Sequence, residues 1–326
     1  MSLSAIRRGI SWIGSSAVRR RFLIGTRGSL LALAQANEIK KKLKTFWPKF
    51  DFPLVVIKTT GDEFQTVELF KKNNTGVFTK ALEKKLIGKK IDIAVHSLKD
   101  LPTQLPKGLC LAAFPKRQDV RDVLISRGRF TLKTLPPGAW VGTGSPRRKS
   151  QLRHLRPDLK LIDIRGNLDT RVAKVLKEKK YDAVLVARAG LLRVKKYLKH
   201  ACSIPPWVLL PAVGQAALGI EARENDGEVL RLVKKLNHER TQKEALAERE
   251  LLRCLQGGCR VPVGVFSSVK GEKIFLRARV FSVKNGDFLE AQMAASAAQP
   301  EKTGRFLARK LLKKGALKFL KEARKT

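Results

Sequence analysis

An aspartate stands in the turn Ser97-Leu98-Lys99-Asp100-Leu101-Pro102, just past a mostly apolar run that only Asp92 interrupts. A carboxylate set among cations can hold or hand over a proton and can stabilise positive charge developing on a substrate. The same residue also suits a plain turn before Leu-Pro, and Lys99 equally suits a surface charge. Three strand-to-helix junctions then bring in arginines: Gly25-Thr26-Arg27-Gly28-Ser29, Gly142-Thr143-Gly144-Ser145-Pro146-Arg147-Arg148, and Arg165-Gly166-Asn167-Leu168-Asp169-Thr170-Arg171. In each, an apolar run ends in a tight polar turn, and a cap-competent Ser or Asn opens an amphipathic stretch. Free backbone N–H groups, the positive end of the helix dipole and a guanidinium fork all favour a carboxylate or phosphate at such a place. One junction of this kind carries no weight. Three, with Arg193 completing the set, point to a ligand bearing several acidic groups.

Cys259 lies in Leu255-Gln256-Gly257-Gly258-Cys259-Arg260-Val261-Pro262. The two glycines let the backbone turn sharply and present the thiol, and Arg253 and Arg260 would favour the thiolate. A buried, inert cysteine is the other reading. The four cysteines (Cys110, Cys202, Cys254 and Cys259) follow no zinc or disulfide spacing, which fits a reducing compartment. His96, His154, His200 and His238 show no metal-ligand spacing, so no metal is expected, and none stands near Cys259 to form a Cys/His pair. Gly142-x-Gly144 lacks a third glycine in register, so a dinucleotide site has little support.

Alternating strands and helices must position these groups. Phe22–Gly25, Pro53–Thr59 and Ile91–Val95 read as strands, with helices over Leu30–Leu43, capped by Ser29, and Val77–Ile87, ended by Gly88. The pattern restarts after about residue 116, with strands at Asp122–Ile125, Ala139–Val141, Leu159–Ile164 and Asp182–Val186. Helices are predicted over 147–155, 168–179 and 190–199, with Ser145 as N-cap and Pro146 in the first turn. Short links between alternating elements predict βαβ units on parallel sheets. A Pro-rich stretch leads to Leu218–Ala222, a strand able to return to the first sheet. A charged helix over Gln242–Leu255, three strand-like runs and a closing helix over Thr303–Lys325 predict a small α+β unit. The expected division is a basic extension 1–20, an α/β domain of 21–116 plus 217–235, a second α/β domain of 120–211 and an α+β domain of 239–326. Two such α/β domains enclose a cleft at the carboxyl ends of their strands, where Asp100 and the arginines fall.

The chain has 326 residues, 43% hydrophobic, and a net charge of +40 from 68 Lys+Arg against 28 Asp+Glu. Such a balance first suggests nucleic acid. The excess is spread over 39–44, 71–90, 147–199 and 302–325, however, without zinc-finger spacing, basic-zipper heptads or an aromatic platform, aromatics being 6%. No specific nucleic-acid binding is expected. No apolar run approaches the ~20 residues a bilayer crossing needs, so no membrane partner is expected either. Residues 1–21 are rich in Ser and Arg and lack acids, as in an organellar transit segment or a short basic extension.

Taken together, six runs closely resemble the porphobilinogen deaminase family, also called hydroxymethylbilane synthases. They are 25–36 (Gly-Thr-Arg-Gly-Ser-Leu-Leu-Ala-Leu-Ala-Gln-Ala), 94–102 (Ala-Val-His-Ser-Leu-Lys-Asp-Leu-Pro), 142–148, 164–171, 210–217 (Leu-Pro-Ala-Val-Gly-Gln-Ala-Ala) and 255–262. The resemblance runs in order from about residue 21 to the C-terminus. It implies two periplasmic-binding-protein-like α/β domains forming a cleft, plus a small C-terminal α+β domain carrying the cofactor cysteine. It also implies a dipyrromethane cofactor joined by a thioether to Cys259. Asp100 matches the family's catalytic aspartate, which would assist loss of ammonia from porphobilinogen and steady the cation that results. Four rounds of addition followed by hydrolysis would release the linear tetrapyrrole hydroxymethylbilane.

By the same resemblance, Ser97, Lys99, Thr143, Ser145, Arg147, Arg148, Arg171 and Arg193 would hold the cofactor, while Arg27, Ser29, Phe78, Arg165, Asn167 and Gln215 would meet the substrate. The family's carboxylate-binding arginines and the multi-acid ligand expected from the junctions coincide, since each pyrrole carries an acetate and a propionate. A monomer in the cytoplasm is expected, or in a plastid or mitochondrion if residues 1–20 are a transit segment. Two departures stand out. The family's Gly-Gly-Lys-Gly-Leu-Phe reads Asn73-Asn74-Thr75-Gly76-Val77-Phe78 here, with Lys71 and Lys72 as the available replacements for the lysine, and Pro146 replaces a Leu. Two rivals to an active deaminase are a catalytically silent carboxylate-binding clamp and a nucleic-acid-associated role driven by charge.

Overall fold

The computed structural model describes residues 20–58, 79–256 and 261–325. Among these residues three sheets form, ordered β2-β1-β3-β10-β4, β7-β6-β8-β5-β9 and β11-β12-β13. In the first, β1 (Ile24–Thr26) lies parallel to β2 (Leu54–Val56) and β3 (Ile93–Ser97), while β10 (Leu218–Arg223) runs antiparallel between β3 and β4 (Leu109–Ala113). The second repeats the scheme. Its β6 (Trp140–Gly142) is parallel to β7 (Lys160–Ile162) and β8 (Ala183–Ala187), and β5 (Asp122–Ser126) runs antiparallel between β8 and β9 (Ala201–Ile204).

The expectation of parallel sheets is therefore corrected to mixed ones. The physical reason lies in the two crossing segments. Strands β5 and β10 each enter a sheet from the other half of the chain without a crossover helix, and only a helical crossover enforces parallel pairing. Hydropathy patterning does not encode strand direction. Strands β4 and β9 and helix α6 (Gly227–Lys234) also went unpredicted.

Helices cover both faces of each mixed sheet. Helix α1 (Leu30–Phe46) opens where Ser29 Oγ accepts from Ala32 N at 3.3 Å, and it buries Ala36, Ile39 and Leu43 against Ile24, Ile93 and Ile220. Helix α2 (Lys80–Ile87) packs Leu82 and Leu86 on the opposite face, against Ile57, Ile91 and Ala94. On the second sheet, Leu124, Val141 and Leu185 face α3 (Pro146–Leu155) through Leu152. The alternate residues Val123, Ile125, Val184 and Val186 face α4 (Leu168–Leu176) and α5 (Arg188–Val194).

The third sheet is an antiparallel meander of β11 (Val263–Lys270), β12 (Lys273–Phe281) and β13 (Phe288–Ser296). It shares one core with α7 (Glu239–Cys254), α8 (Pro300–Lys313) and α9 (Ala316–Lys325). The single closing helix expected over 303–325 is two, because Gly315 takes φ +95° and ends α8. The observed class is α/β, α/β, then α+β.

Candidate active site

Asp100 ends a single 3-10 turn, Leu98–Asp100, that follows β3 directly, and its carboxylate is exposed. The turn is anchored from beneath. Leu98 and Leu101 are buried with Phe114, Ala217 and Ala245, which come from both crossing segments and α7. Leu98 N donates to Ala217 O at 3.0 Å. Gly214 (φ +68°) passes so close that an added Cβ would lie 3.1 Å from Lys99 N. Lys99 is half-buried beside Asp100. Burial pushes its ammonium down, Arg148 and Arg147 push the same way, and Asp100 and Asp122 oppose them.

The facing cations come from the second sheet. Arg147 and Arg148, in the first turn of α3, are both buried and both bind Asp122, the first residue of β5. Arg147 Nη1 lies 2.8 Å from Asp122 Oδ2, and Arg148 Nη2 and Nε donate to Oδ1 at 2.7 and 3.2 Å. Gln215 Nε2 donates to the same Oδ1 at 3.0 Å. Burial alone would raise the Asp122 carboxyl, but Arg147 and Arg148 hold it well below the usual carboxylate range. Backbone carbonyls help to fix both side chains: the same Arg147 Nη1 donates to Leu210 O at 2.6 Å, and Arg148 Nη1 donates to Leu185 O at 2.9 Å. Arg147 Nε and Gln215 Oε1 are buried without a hydrogen-bond partner among the described residues.

Arg165 is exposed, and Arg171 is held by its Nε donating to Gly166 O at 2.8 Å. Burial, then Arg148 and Arg165, push the Arg171 guanidinium down to about 10, with Asp100 opposing. Lys99, Arg148 and Arg171 thus lie within electrostatic reach of one another across the two sheets, and Asp100 acts on both Lys99 and Arg171. Thr143 and Ser145 line the β6–α3 junction, where Ser145 N donates to Thr143 Oγ1 at 3.3 Å. Ser145 occupies the N-cap position as expected, yet its side chain makes no capping bond.

Other expected site residues have local partners. Ser29 caps α1, and Asn167 Oδ1 caps α4 by accepting from Thr170 N at 3.0 Å. Ser97 Oγ accepts from Gln35 Nε2 at 2.8 Å. Arg27 is half-buried at the β1–α1 junction. Arg193 is paired with Glu38 of α1. Arg253, expected to favour a thiolate at Cys259, donates instead to both oxygens of Glu250 at 2.6 and 2.8 Å. Cys259, Arg260, Phe78, Lys71 and Lys72 lie outside the described residues, as do residues 1–19.

Sequence reasoning missed Asp122 and Glu38. The available signal for Asp122 was an acid opening an otherwise apolar strand, which also reads as ordinary strand punctuation. Among the described residues no group of three or more His, Cys, Asp or Glu could hold a metal, and no helix is long and apolar enough to cross a membrane.

Two family models match the chain: "Porphobilinogen deaminase, dipyromethane cofactor binding domain" over residues 22–231 and "Porphobilinogen deaminase, C-terminal domain" over 242–313. A porphobilinogen deaminase of Chlorobium phaeobacteroides is 46% identical over 313 residues, covering 95% of this chain and 100% of that one. One of Desulforudis audaxviator is 45% identical over 307 residues, covering 94% and 99%. Among solved structures, an arginine-specific periplasmic binding protein of Salmonella typhimurium is 14% identical and covers 67% of this chain and 91% of its own, with a TM-score of 0.36.

Proposed function

The chain belongs to the porphobilinogen deaminase family, and from that membership we propose that Asp100 is its catalytic carboxylate, faced by a cation cluster that holds pyrrole carboxylates. The enzyme is a transferase of tetrapyrrole biosynthesis. It condenses porphobilinogen, with loss of ammonia, into hydroxymethylbilane and works with a dipyrromethane cofactor.

The donor set suits that cofactor. Lys99, Arg147, Arg148 and Arg171 share one field with Asp100 and Asp122. Arg147 Nε is buried without a partner among the described residues. Guanidinium forks such as these bind acetate and propionate groups bidentately. A covalent anchor at Cys259 is supported by the strand that follows it: Val265 N donates to Pro211 O at 2.8 Å, beside the Leu210 carbonyl that takes Arg147. When bound, the cofactor supplies the nucleophilic pyrrole carbon that takes the first ring, and each later ring joins the terminal ring of the growing chain.

Lys99, Arg147, Arg148 and Arg171 hold the cofactor's carboxylates, with Ser97, Thr143 and Ser145 as polar neighbours, and Arg193, paired with Glu38, is a further cation for carboxylates of the ligand. Arg27, Arg165 and Phe78 meet the arriving substrate. Ser29 and Asn167 act through the first helical turns they cap, whose amides attract an anion, and Gln215 acts by fixing Asp122. Asp100 holds or transfers a proton at the departing ammonia and steadies the positive charge left on the adjacent carbon. The domains are 21–116 plus 217–235, 120–211 and 239–326, with porphobilinogen as partner, no specific nucleic acid or membrane, and a monomeric, cytoplasmic protein.

One observation carries this reading: the exposed carboxylate of Asp100, on a turn of the first sheet, shares a field with Lys99 and the second sheet's Arg171. Intact-protein mass spectrometry and turnover test it together. Protein from cofactor-competent cells is expected to carry a covalent increment that Cys259→Ala lacks. Asp100→Asn should keep the increment and lose nearly all turnover; normal turnover in that variant would discard the assigned role.

A further inference from the structure

Arg193 is bound at a different place from the other arginines. It sits in the last turn of α5, on the second sheet, and its Nε donates to Oε2 of Glu38 at 3.2 Å, on helix α1 of the first. Its Nη2 donates to Ala216 O at 3.1 Å, in the crossing segment that leads into β10. One guanidinium therefore touches both sheet-bearing halves and the chain between them. The Arg193 side chain is only 6% exposed, whereas Glu38 keeps 23% and is also held by Lys42 Nζ at 2.9 Å, one turn along α1. The helices meet closely here, since a Cβ on Gly190 would lie 3.7 Å from Leu31 and 3.5 Å from Leu168.

A guanidinium facing one protein carboxylate across an interdomain seam offers a site that a ligand carboxylate can contest. We propose that Glu38 is a built-in competitor for Arg193: its carboxylate latches α1 to α5, and a carboxylate of the lengthening pyrrole chain displaces it, freeing the guanidinium and loosening the seam. Glu38 is thus a positioning residue that acts on the reaction through Arg193. The inference rests on the deaminase reading, because only a chain that gains carboxylates with each addition makes such a competitor useful. Chemically, the exchange replaces one carboxylate–guanidinium pair with another, so its balance is set by the number of ligand carboxylates in reach rather than by any change in bonding type. Lys42 keeps a partner for the displaced Glu38, so the released carboxylate is not left unpaired.

Glu38→Gln in the cofactor-bearing enzyme tests this, with Lys42→Gln as the control that leaves the Arg193 contact in place. Two readouts are needed. Hydrogen exchange across 188–194 is expected to speed up in Glu38→Gln without substrate, because the latch is gone. The KM for porphobilinogen is expected to fall about 3- to 5-fold, the effect a partly exposed ion pair can exert. After substoichiometric porphobilinogen, intact-mass profiles should shift towards longer bound chains. An unchanged KM and chain-length profile would overturn the proposal whatever the exchange shows, as would the same changes in Lys42→Gln. Failure of the deaminase reading looks different: the wild type would then add no pyrrole mass at all.

Discussion

Arg148 grips a single oxygen of Asp122 with two nitrogens, at 2.7 and 3.2 Å, while Arg147 holds the other oxygen at 2.8 Å. One buried carboxylate thereby aims two adjacent guanidinium groups that would otherwise repel. The consequence reaches the reaction centre, because the field of this trio extends to Lys99, the neighbour of Asp100 in sequence. The arginine pair is best described as a preorganised socket whose position depends on an acid that need not touch the ligand.

Removing that acid's charge should be costly. Asp122→Asn leaves two buried guanidinium groups without their counterion and is expected to destabilise the protein by about 3–5 kcal/mol, measured by urea unfolding. The pH dependence follows from the direction of the shift. The folded carboxyl is depressed, so its stabilisation is present in full above the unfolded value of about 3.9 and is lost as pH falls below it towards the folded value. The stability gap between wild type and variant should be constant from about pH 5 to pH 8 and narrow on further acidification. A gap that widened in acid would contradict the assignment.

The cation excess predicts a response to polycarboxylates. In Cys259→Ala, which lacks the covalent anchor, citrate should raise the unfolding temperature, whereas sodium chloride at equal ionic strength should not. The expected gain is about 1.4 kcal/mol at ten times the dissociation constant. Arg171→Gln should shrink this response, because Arg171 is held down to about 10 by burial and by Arg148 and Arg165, and a bound carboxylate relieves that field.

Charge beyond the site has a kinetic consequence. A chain carrying +40 overall should draw a dicarboxylate substrate in, so kcat/KM is expected to fall as salt rises while kcat stays nearly constant. The effect should be largely spent by about 0.1 M, where the screening length is about 10 Å. Stopped-flow or initial-rate measurements over a salt series check it. A parallel fall in kcat would place the salt effect on the chemical step instead.

Much of this site is legible in the sequence, for a physical reason. A strand ending in Gly-Thr-Gly-Ser-Pro-Arg-Arg can hardly avoid presenting its arginines at a helix start, and Asn167 announces its own cap. The illegible part is pairing at a distance. Asp122 meets Arg148 across 26 residues of sequence separation and Glu38 meets Arg193 across 155. Neither acid differs locally from a strand opener or a solvated helix position. Strand direction was hidden in the same way, since a short strand such as Leu218–Arg223 pairs equally well either way up, and only the route of the crossing segment decides.

A glycine packs against the same crossing segment. Strand β11 leaves the Cys259 segment and lies against Leu210, so close that a Cβ on Gly264 would fall 2.7 Å from Leu210 Cβ and 3.3 Å from Leu210 O. The same carbonyl accepts from Arg147 Nη1 and from Gln151 Nε2. Gly264→Ala must push β11 and the 210–211 segment apart, at a cost of about 1–3 kcal/mol. It should also shift the carbonyl that positions Arg147. Cofactor loading, read as the covalent mass increment, is therefore expected to drop in this variant even at temperatures where circular dichroism shows it folded. A control at Gly271, where an added Cβ meets nothing within 4 Å but φ is +55°, should show only the modest backbone penalty with loading intact. If both variants loaded equally well, β11 would have no part in holding the arginine socket.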